Sequence, residues 1–234
     1  MKQGVLNIVT TPIGNYADLT IRAYNALSNC DIIIAESVKE SSRLLKFFGI
    51  DKESILLNEH NEEKDSEEII KELLEGKEIS LISDGGTPGF ADPGSMLIKK
   101  CIDYNIRLNF IHGPNSVISA IVVSGFDISR FHFIGFLSPK REERTAQLKD
   151  LRKLDRAFVL MDTPYRLHQL LEDMKLFFSD RRIMIAFNMT MDGEKKFRGT
   201  INEIEKEISE FTGGSKLKGE FVIVVEKALK SKPE

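Results

Sequence analysis

No segment of this chain approaches the ~20 consecutive apolar residues that a bilayer-spanning helix requires. The opening stretch from Met1 to Val9 carries an apolar run too short for a secretory signal and has no small-residue cleavage site. No membrane partner is expected, and the expected address is cytoplasmic. Cysteine is almost lacking. Cys30 and Cys101 are the two present, far apart in sequence, and they read as buried reduced thiols rather than a disulfide. A basic excess is lacking too: the formal net charge is −3, so the composition does not announce a nucleic-acid partner, although a local basic face can sit on an acidic body. Neither GxGxxG nor GxxxxGK[ST] occurs, which removes the dinucleotide fingerprint and the P-loop. No residues stand at metal-ligand spacing, and none of the four histidines forms a triad: His132 lies in an apolar strand, and His60 and His168 read as surface or helix-face residues. There is no internal repeat or low-complexity linker.

What is present is an ordinary globular composition, 41% hydrophobic and 29% charged over 234 residues, enough for one large domain or two modest ones. Strand and helix patterns alternate from the start. Val5 to Val9, Ile32 to Ile34, Ile55 to Leu57, Ile79 to Ile82 and Ile106 to Ile111 read as strands. Helices are predicted between them. One is capped by Asp18 and carries Ile21, Tyr24 and Leu27 on a face; one starts at Ser41 or Ser42 and stops at Gly49. A third spans Asp65 to Glu75 with Ile69, Ile70, Leu73 and Leu74, and a fourth starts at the Asp92-Pro93 pair. This alternation predicts a mostly parallel sheet over residues 1–113. In residues 114–234, strands are predicted at Phe131–Phe136, Ala157–Met161, Arg182–Phe187, Lys196–Gly199 and Phe221–Val225. Asp192-Gly193 between two of them signals a hairpin, hence a mixed sheet. The expected fold class is α/β, two α/β domains with a ligand cleft between them.

The chemistry gathers in glycine-proline turns at strand ends. Ser83 to Gly94 holds four glycines and two prolines in twelve residues between a strand and a helix. Glycine there allows positive φ and close approach of a ligand to the main chain. Thr11-Pro12-Ile13-Gly14-Asn15 and His112-Gly113-Pro114-Asn115-Ser116 are two further such turns. If their strands are parallel, all three converge on one crevice at the carboxyl edge, where open α/β sheets bind ligands.

These turns, followed in order by Gly135-Phe136-Leu137-Ser138-Pro139-Lys140, Phe197-Arg198-Gly199-Thr200 and Gly219-Glu220-Phe221, resemble the tetrapyrrole-methylase superfamily over nearly the whole chain. Within it the likeness is to the small-subunit ribosomal RNA methyltransferase I family, which methylates a cytidine ribose 2′-hydroxyl. The resemblance implies a homodimeric two-domain enzyme using S-adenosyl-L-methionine. It puts Pro12, Asp84, Gly85, Gly86, Thr87, Pro88, Asp92, Asn115 and Ser116 around the cofactor, with Met161 and the Phe221 region flanking the adenine; for Met161, core packing is an equal alternative. The implied partner is RNA of the small ribosomal subunit.

Substrate-side motifs depart from the family pattern. The family's Ala-Glu-Asp-Thr-Arg-His-Thr stands here as Ala35-Glu36-Ser37-Val38-Lys39-Glu40-Ser41, Glu-Ser-Pro-His-Arg as Asp162-Thr163-Pro164-Tyr165-Arg166, and Arg-Glu-Leu-Thr-Lys as Phe187-Asn188-Met189-Thr190-Met191. Losing Arg and His while gaining Glu40 weakens polyanion binding. Glu36 and Asp92 are the candidate carboxylates for activating a hydroxyl. Glu36 is preferred because Asp92 reads as a helix N-cap. Lys39 and Arg166 are the candidate cations near the acceptor. The locally basic stretch from Lys140 to Arg156 has its acids at i,i+3 and i,i+4 spacing, the pattern of a solvated helix, with an RNA-phosphate track as the functional alternative. A tetrapyrrole ring carbon or other small acceptor, and a cofactor-binding protein that has lost catalysis, are the alternative readings of the whole.

Overall fold

The computed structural model describes residues 4–58 and 61–228. The expectations for Met1 to Gln3, for His60 and for residues 229–234 of the polar tail lie outside the described residues. The chain divides into two compact units, Met1–Asn115 and Ser116–Glu234.

In the first unit, β1 (Val5–Val9), β2 (Ile32–Ala35), β3 (Ser54–Leu56), β4 (Glu78–Ile82) and β5 (Arg107–Ile111) form one parallel sheet in the order β3-β2-β4-β1-β5. The inner strands β1, β2 and β4 are covered on both faces and are largely apolar, as parallel strands so placed must be, while the edge strands β3 and β5 leave Ile55, Leu56, Arg107 and Phe110 exposed. Leu6, Ile8, Ile34, Ile79 and Leu81 pack on one face against α3 (Glu62–Leu74) and α4 (Ser95–Asp103). Val9, Ile33, Ala35 and Ile82 pack on the other against α1 (Ile21–Asn29) and α2 (Val38–Phe47). The chain after β1 therefore leaves toward one face and the chain after β4 toward the other, although these strands are neighbours. That divergence opens the switch-point crevice of a doubly wound sheet. Cys30 and Cys101 are buried free thiols, and burial pushes Cys101 up to about 12.

Three helix starts differ from the sequence expectation. Asp18 closes a short 3₁₀ turn (Tyr16–Asp18), and Thr20 is the cap of α1, its hydroxyl accepting from the Ala23 amide. Ile21 is then 79% exposed and Tyr24 is exposed, while Ala23 and Leu27 carry the buried face. α2 begins after Ser37, which accepts from Glu40 N–H, so Ser41 is a buried residue inside the helix, bonded to Ser54 Oγ at 2.9 Å. α4 begins after Gly94, not at Asp92-Pro93. Leu74 is exposed.

In the second unit, β6 (Phe131–Phe136), β7 (Ala157–Asp162), β8 (Ile183–Phe187), β9 (Lys195–Gly199) and β10 (Phe221–Val225) form a mixed sheet in the order β6-β7-β10-β8-β9, with β6 and β7 alone parallel. The β8–β9 hairpin turns through Asn188, Thr190 and Gly193, all at positive φ. α6 (Arg141–Leu151), α7 (Leu167–Phe178) and α8 (Ile201–Thr212) cover the face bearing Phe158, Leu160, Ile185, Phe197 and Ile223. α5 (Ser116–Ser124) covers the face bearing Val159, Met184, Val222 and Val224. α6 is not simply a solvated helix. Arg144 is fully buried, and its Nε and Nη2 donate to Asp173 Oδ2 of α7 at 2.9 and 2.6 Å.

Candidate active site

Four strand-end segments meet at the carboxyl edge of the first sheet. Thr11 and Gly86 exchange backbone hydrogen bonds of 2.8 and 3.1 Å, tying the loop after β1 to the loop after β4. Thr11 Oγ1 also donates to the Ser83 carbonyl at 3.2 Å, and Thr10 Oγ1 lies 3.4 Å from Thr87 Oγ1. The loop after β5 joins through Thr10 N–H to Ile111 O and through Thr20 Oγ1 to His112 O. At Gly113 a Cβ would lie 2.9 Å from the Thr10 side chain, so this turn admits only glycine without displacing β1. Finally, Glu36 at the end of β2 accepts the Asp84 amide on Oε2 at 3.2 Å. The three glycine-proline turns thus converge, as their placement after parallel strands predicted.

Pro12, Gly86 and Pro88 are buried in this knot, while Asp84 and Gly85 are exposed and Thr87 is half-buried. Asp92 is half-buried, and its carboxyl is pushed up to about 7 by burial first and then by the negative charges of Glu36 and Asp84. A carboxyl tuned to that range takes up and gives back a proton near neutrality. The Asp92 segment is held in an uncommon shape: Gly89, Ala91 and Gly94 have φ of 76°, 65° and 117°. For alanine that conformation costs roughly 1–2 kcal/mol, and strain of this kind collects at ligand-binding loops. Since Asp92 does not cap α4, the argument that ranked it below Glu36 loses its basis.

Sequence reasoning missed what closes this loop. Gly94 has no side chain with which to cap α4, and Glu62 of α3 does so instead. Its Oε1 accepts the amides of Gly94, Met96 and Leu97 at 3.0, 2.7 and 3.3 Å. In sequence Glu62 is one of several acids in a first turn, indistinguishable from those that complement a helix dipole.

The remaining predicted residues are distributed over the chain as follows. Lys39 is solvent-exposed on α2, 3.8 Å from Glu40. Asn115 ends the first unit and Ser116 opens α5 in the second, both half-buried. Met161 and Phe221 sit on paired strands β7 and β10 but leave the sheet on opposite faces: Met161 packs beside Val222 and Val159, Phe221 in the cluster of Phe187 and Ile223. Their side chains cannot sandwich a common ring. Arg166 pairs with the buried Asp162 at 3.1 Å and donates to the Ser138 carbonyl at 2.9 Å, so it holds the 137–139 loop. Arg144 donates to the Ser138 and Pro139 carbonyls as well. His168 is half-buried, its Nε2 accepting the Leu217 amide at 3.0 Å.

Comparison with known proteins identifies the family and the fold. Residues 5–205 match the family model described as tetrapyrrole (corrin/porphyrin) methylases. A protein of Thermotoga maritima named ribosomal RNA small subunit methyltransferase I is 39% identical over 95% of this chain and 98% of its own length. Proteins of the same name from Buchnera aphidicola (37%, over 99% of this chain and 82% of theirs) and Bacillus subtilis (34%, 95% and 75%) align similarly. Among solved structures, diphthine synthase superposes with a TM-score of 0.73 at 17% identity, covering 96% of this chain and 90% of that one. Uroporphyrin-III-C-methyltransferase from Thermus thermophilus gives 0.65 at 16%, covering 96% and 95%. At those identities the structural likeness speaks for the fold. The chain belongs to the tetrapyrrole methylase family and is a methyltransferase that groups with the ribosomal RNA small subunit methyltransferase I proteins.

Proposed function

We propose that the protein transfers a methyl group from S-adenosyl-L-methionine to a ribose 2′-hydroxyl of small-subunit ribosomal RNA. The observation that carries the cofactor half is the chemistry of the converging loops. Residues 11–15, 84–94 and 113–115 contain no Lys or Arg, while Glu36, Asp84 and Asp92 gather there. Such a rim suits a ligand bearing a sulfonium and an ammonium and repels a polyphosphate. The glycine-rich backbone suits a ligand with a flat, largely apolar adenosine. The acceptor half is supported by the relatives' names and by identities of 34–39% over at least 95% of the chain.

In this reading the backbone from Asp84 to Pro88, with Pro12, holds the methionine end. Asn115 continues the wall, and Ser116, Met161 and the Phe221 region stand as cofactor positions that the family resemblance implies. When bound, S-adenosylmethionine supplies an electrophilic methyl group. The chain's own contribution is positioning and proton handling. Asp92 accepts the proton of the acceptor hydroxyl, and Glu36, fixed by the Asp84 amide, keeps Asp92 basic. Lys39 meets RNA phosphate from solvent, and Arg166 acts through the 137–138 backbone it holds. The same reading carries a homodimer working in the cytoplasm. Among the described residues no helix is long and apolar enough to cross a membrane.

The test is a tritiated-methyl assay on undermodified small ribosomal subunits beside a tetrapyrrole panel. Label in the RNA at a linkage that resists alkaline cleavage is expected, because a 2′-O-methyl group removes the attacking hydroxyl. Label in a tetrapyrrole alone, or none anywhere from a protein that binds the cofactor, would overturn the acceptor assignment.

A further inference from the structure

α4 opens on Pro93-Gly94-Ser95, a start with no capping side chain on Gly94, directly after the glycine-rich loop of a doubly wound sheet. In such folds this helix terminus is where an anion binds, because amides and helix dipole point at it together. Here an anion is already built in. The Glu62 carboxylate, 8% exposed, takes three of those amides on one oxygen. It is delivered from α3, which packs along α4, and the pairing is reinforced by Lys100 Nζ donating to the Glu63 carbonyl at 3.0 Å.

The consequence lies in the loop. At one end Gly86 is tied to Thr11, and at the other Gly94 is tied to Glu62. Between the two ties, Gly89 N–H donates to Pro93 O and Phe90 N–H to Thr87 O, and Ala91 is kept in a left-handed conformation it would leave if released. Backbone in that region persists only where its surroundings over-determine it. Asp92 sits on this stretch, one residue after Ala91.

We propose that Glu62 is a positioning residue of the cofactor loop, its carboxylate standing as a resident anion at the N-terminus of α4 and holding residues 87–94 in the conformation that binds S-adenosylmethionine. The assignment rests on the cofactor reading above. It also accounts for a helix terminus of this type serving a ligand without phosphate: the anion slot is filled by the chain itself.

The experiment is calorimetric titration of S-adenosylmethionine into the full-length wild type and Glu62→Ala, with and without formate or acetate. Absence of binding by the wild type would overturn the cofactor reading itself, a result distinct from any effect of the substitution. With wild-type binding in hand, a loop competent about a tenth of the time in Glu62→Ala raises the dissociation constant about tenfold. A small carboxylate entering the vacated slot recovers most of that loss, while chloride at equal ionic strength does not. A general loss of stability would instead lower the melting temperature and leave affinity unchanged. A folded Glu62→Ala with wild-type affinity, or a loss that neither carboxylate recovers, overturns the assignment. If Glu62→Ala does not fold, Glu62→Asp decides. Its shorter side chain misses the amides and raises KM for S-adenosylmethionine about fivefold at unchanged kcat; an unchanged KM overturns the assignment.

Discussion

Replacing Arg144 by leucine removes four hydrogen bonds from the second unit: two to Asp173 Oδ2 at 2.9 and 2.6 Å, and two to the Ser138 and Pro139 carbonyls at 3.2 and 3.0 Å. Both side chains are fully buried, so Asp173 would keep its charge out of water with one remaining partner, Arg141 Nε at 3.0 Å. Removing one member of a buried ion pair costs about 3–5 kcal/mol, chiefly because the other charge is left uncompensated. Arg141 is largely solvent-exposed and softens that penalty, which places the expectation near the lower end, about 3 kcal/mol. For a unit of this size that corresponds to a fall in melting temperature of roughly 10 °C. Replacing both residues with leucine strands no charge, so the double variant should lose less than the two single variants together by about 2 kcal/mol. Urea unfolding followed by circular dichroism measures all three, with the denaturant slope unchanged if only stability moves. Additive single effects, or a loss under about 1 kcal/mol in Arg144→Leu, would refute the reasoning, because a pair this buried cannot be removed one-sidedly at so low a cost.

Three further outcomes follow from the site and its supports. Asp92→Asn should lower methyl transfer by about 10²–10⁴-fold, and wild-type activity should rise with pH through about 7 and level above it; a flat profile counts against Asp92 as the base. The stability sign is the opposite. A carboxyl whose folded pKa is raised contributes stability that is fully present below the ordinary carboxylate range and is lost as pH climbs through about 7. Asp92→Asn should therefore melt higher than wild type at pH 8 and no higher at pH 4. Gly113→Ala drives a methyl to 2.9 Å from Thr10 and should weaken S-adenosylmethionine binding about tenfold by calorimetry; wild-type affinity would mean the β5 turn does not touch the cofactor. Thr200 and Glu203 form a capping box at the start of α8, so Thr200→Ala should cost about 1 kcal/mol in chemical denaturation, and no loss would show that the box is redundant.

The parts of this fold legible in the sequence are those fixed by short-range pattern. β1, β2 and β4 are β-branched or leucine-rich runs because both of their faces are covered, and such runs read as strands without knowledge of their neighbours. The glycine-proline turns were legible for a related reason: a positive φ or a close approach demands glycine at that position, whatever lies across from it. Helix starts were less so. Asp18, Ser41 and Asp92 are acceptable caps by type, yet Thr20, Ser37 and Gly94 fill the position. In the last case the capping oxygen comes from 32 residues upstream. Arg144 was hidden in the same way. The acids interleaved through the Lys140–Arg156 stretch made it look solvated, but its partner is Asp173, 29 residues on, and only the packing of α6 on α7 brings the two together.

The electrostatics of the two halves of the reaction also explain why the cofactor side was easier to read than the acceptor side. A rim of Glu36, Asp84 and Asp92 without Lys or Arg favours a cationic donor, and for the same reason it disfavours the phosphates of an RNA acceptor. A protein that uses both must take the phosphates elsewhere, on charge not already spent within the fold. Arg144 and Arg166 are spent: one is buried on Asp173, the other is paired with Asp162 and bonded to a carbonyl. Lys39, Lys140 and Arg141 are solvent-exposed, and their carboxylate partners Glu40, Glu143 and Asp173 are each within 4 Å. Exposed pairs of that kind are worth about 0–1 kcal/mol, so a phosphate can displace the Glu40 and Glu143 partners cheaply. Sequence counts charges, but which of them are free to meet a polyanion is decided by packing, and only the folded chain separates the arginines that hold loops from the lysines that remain available.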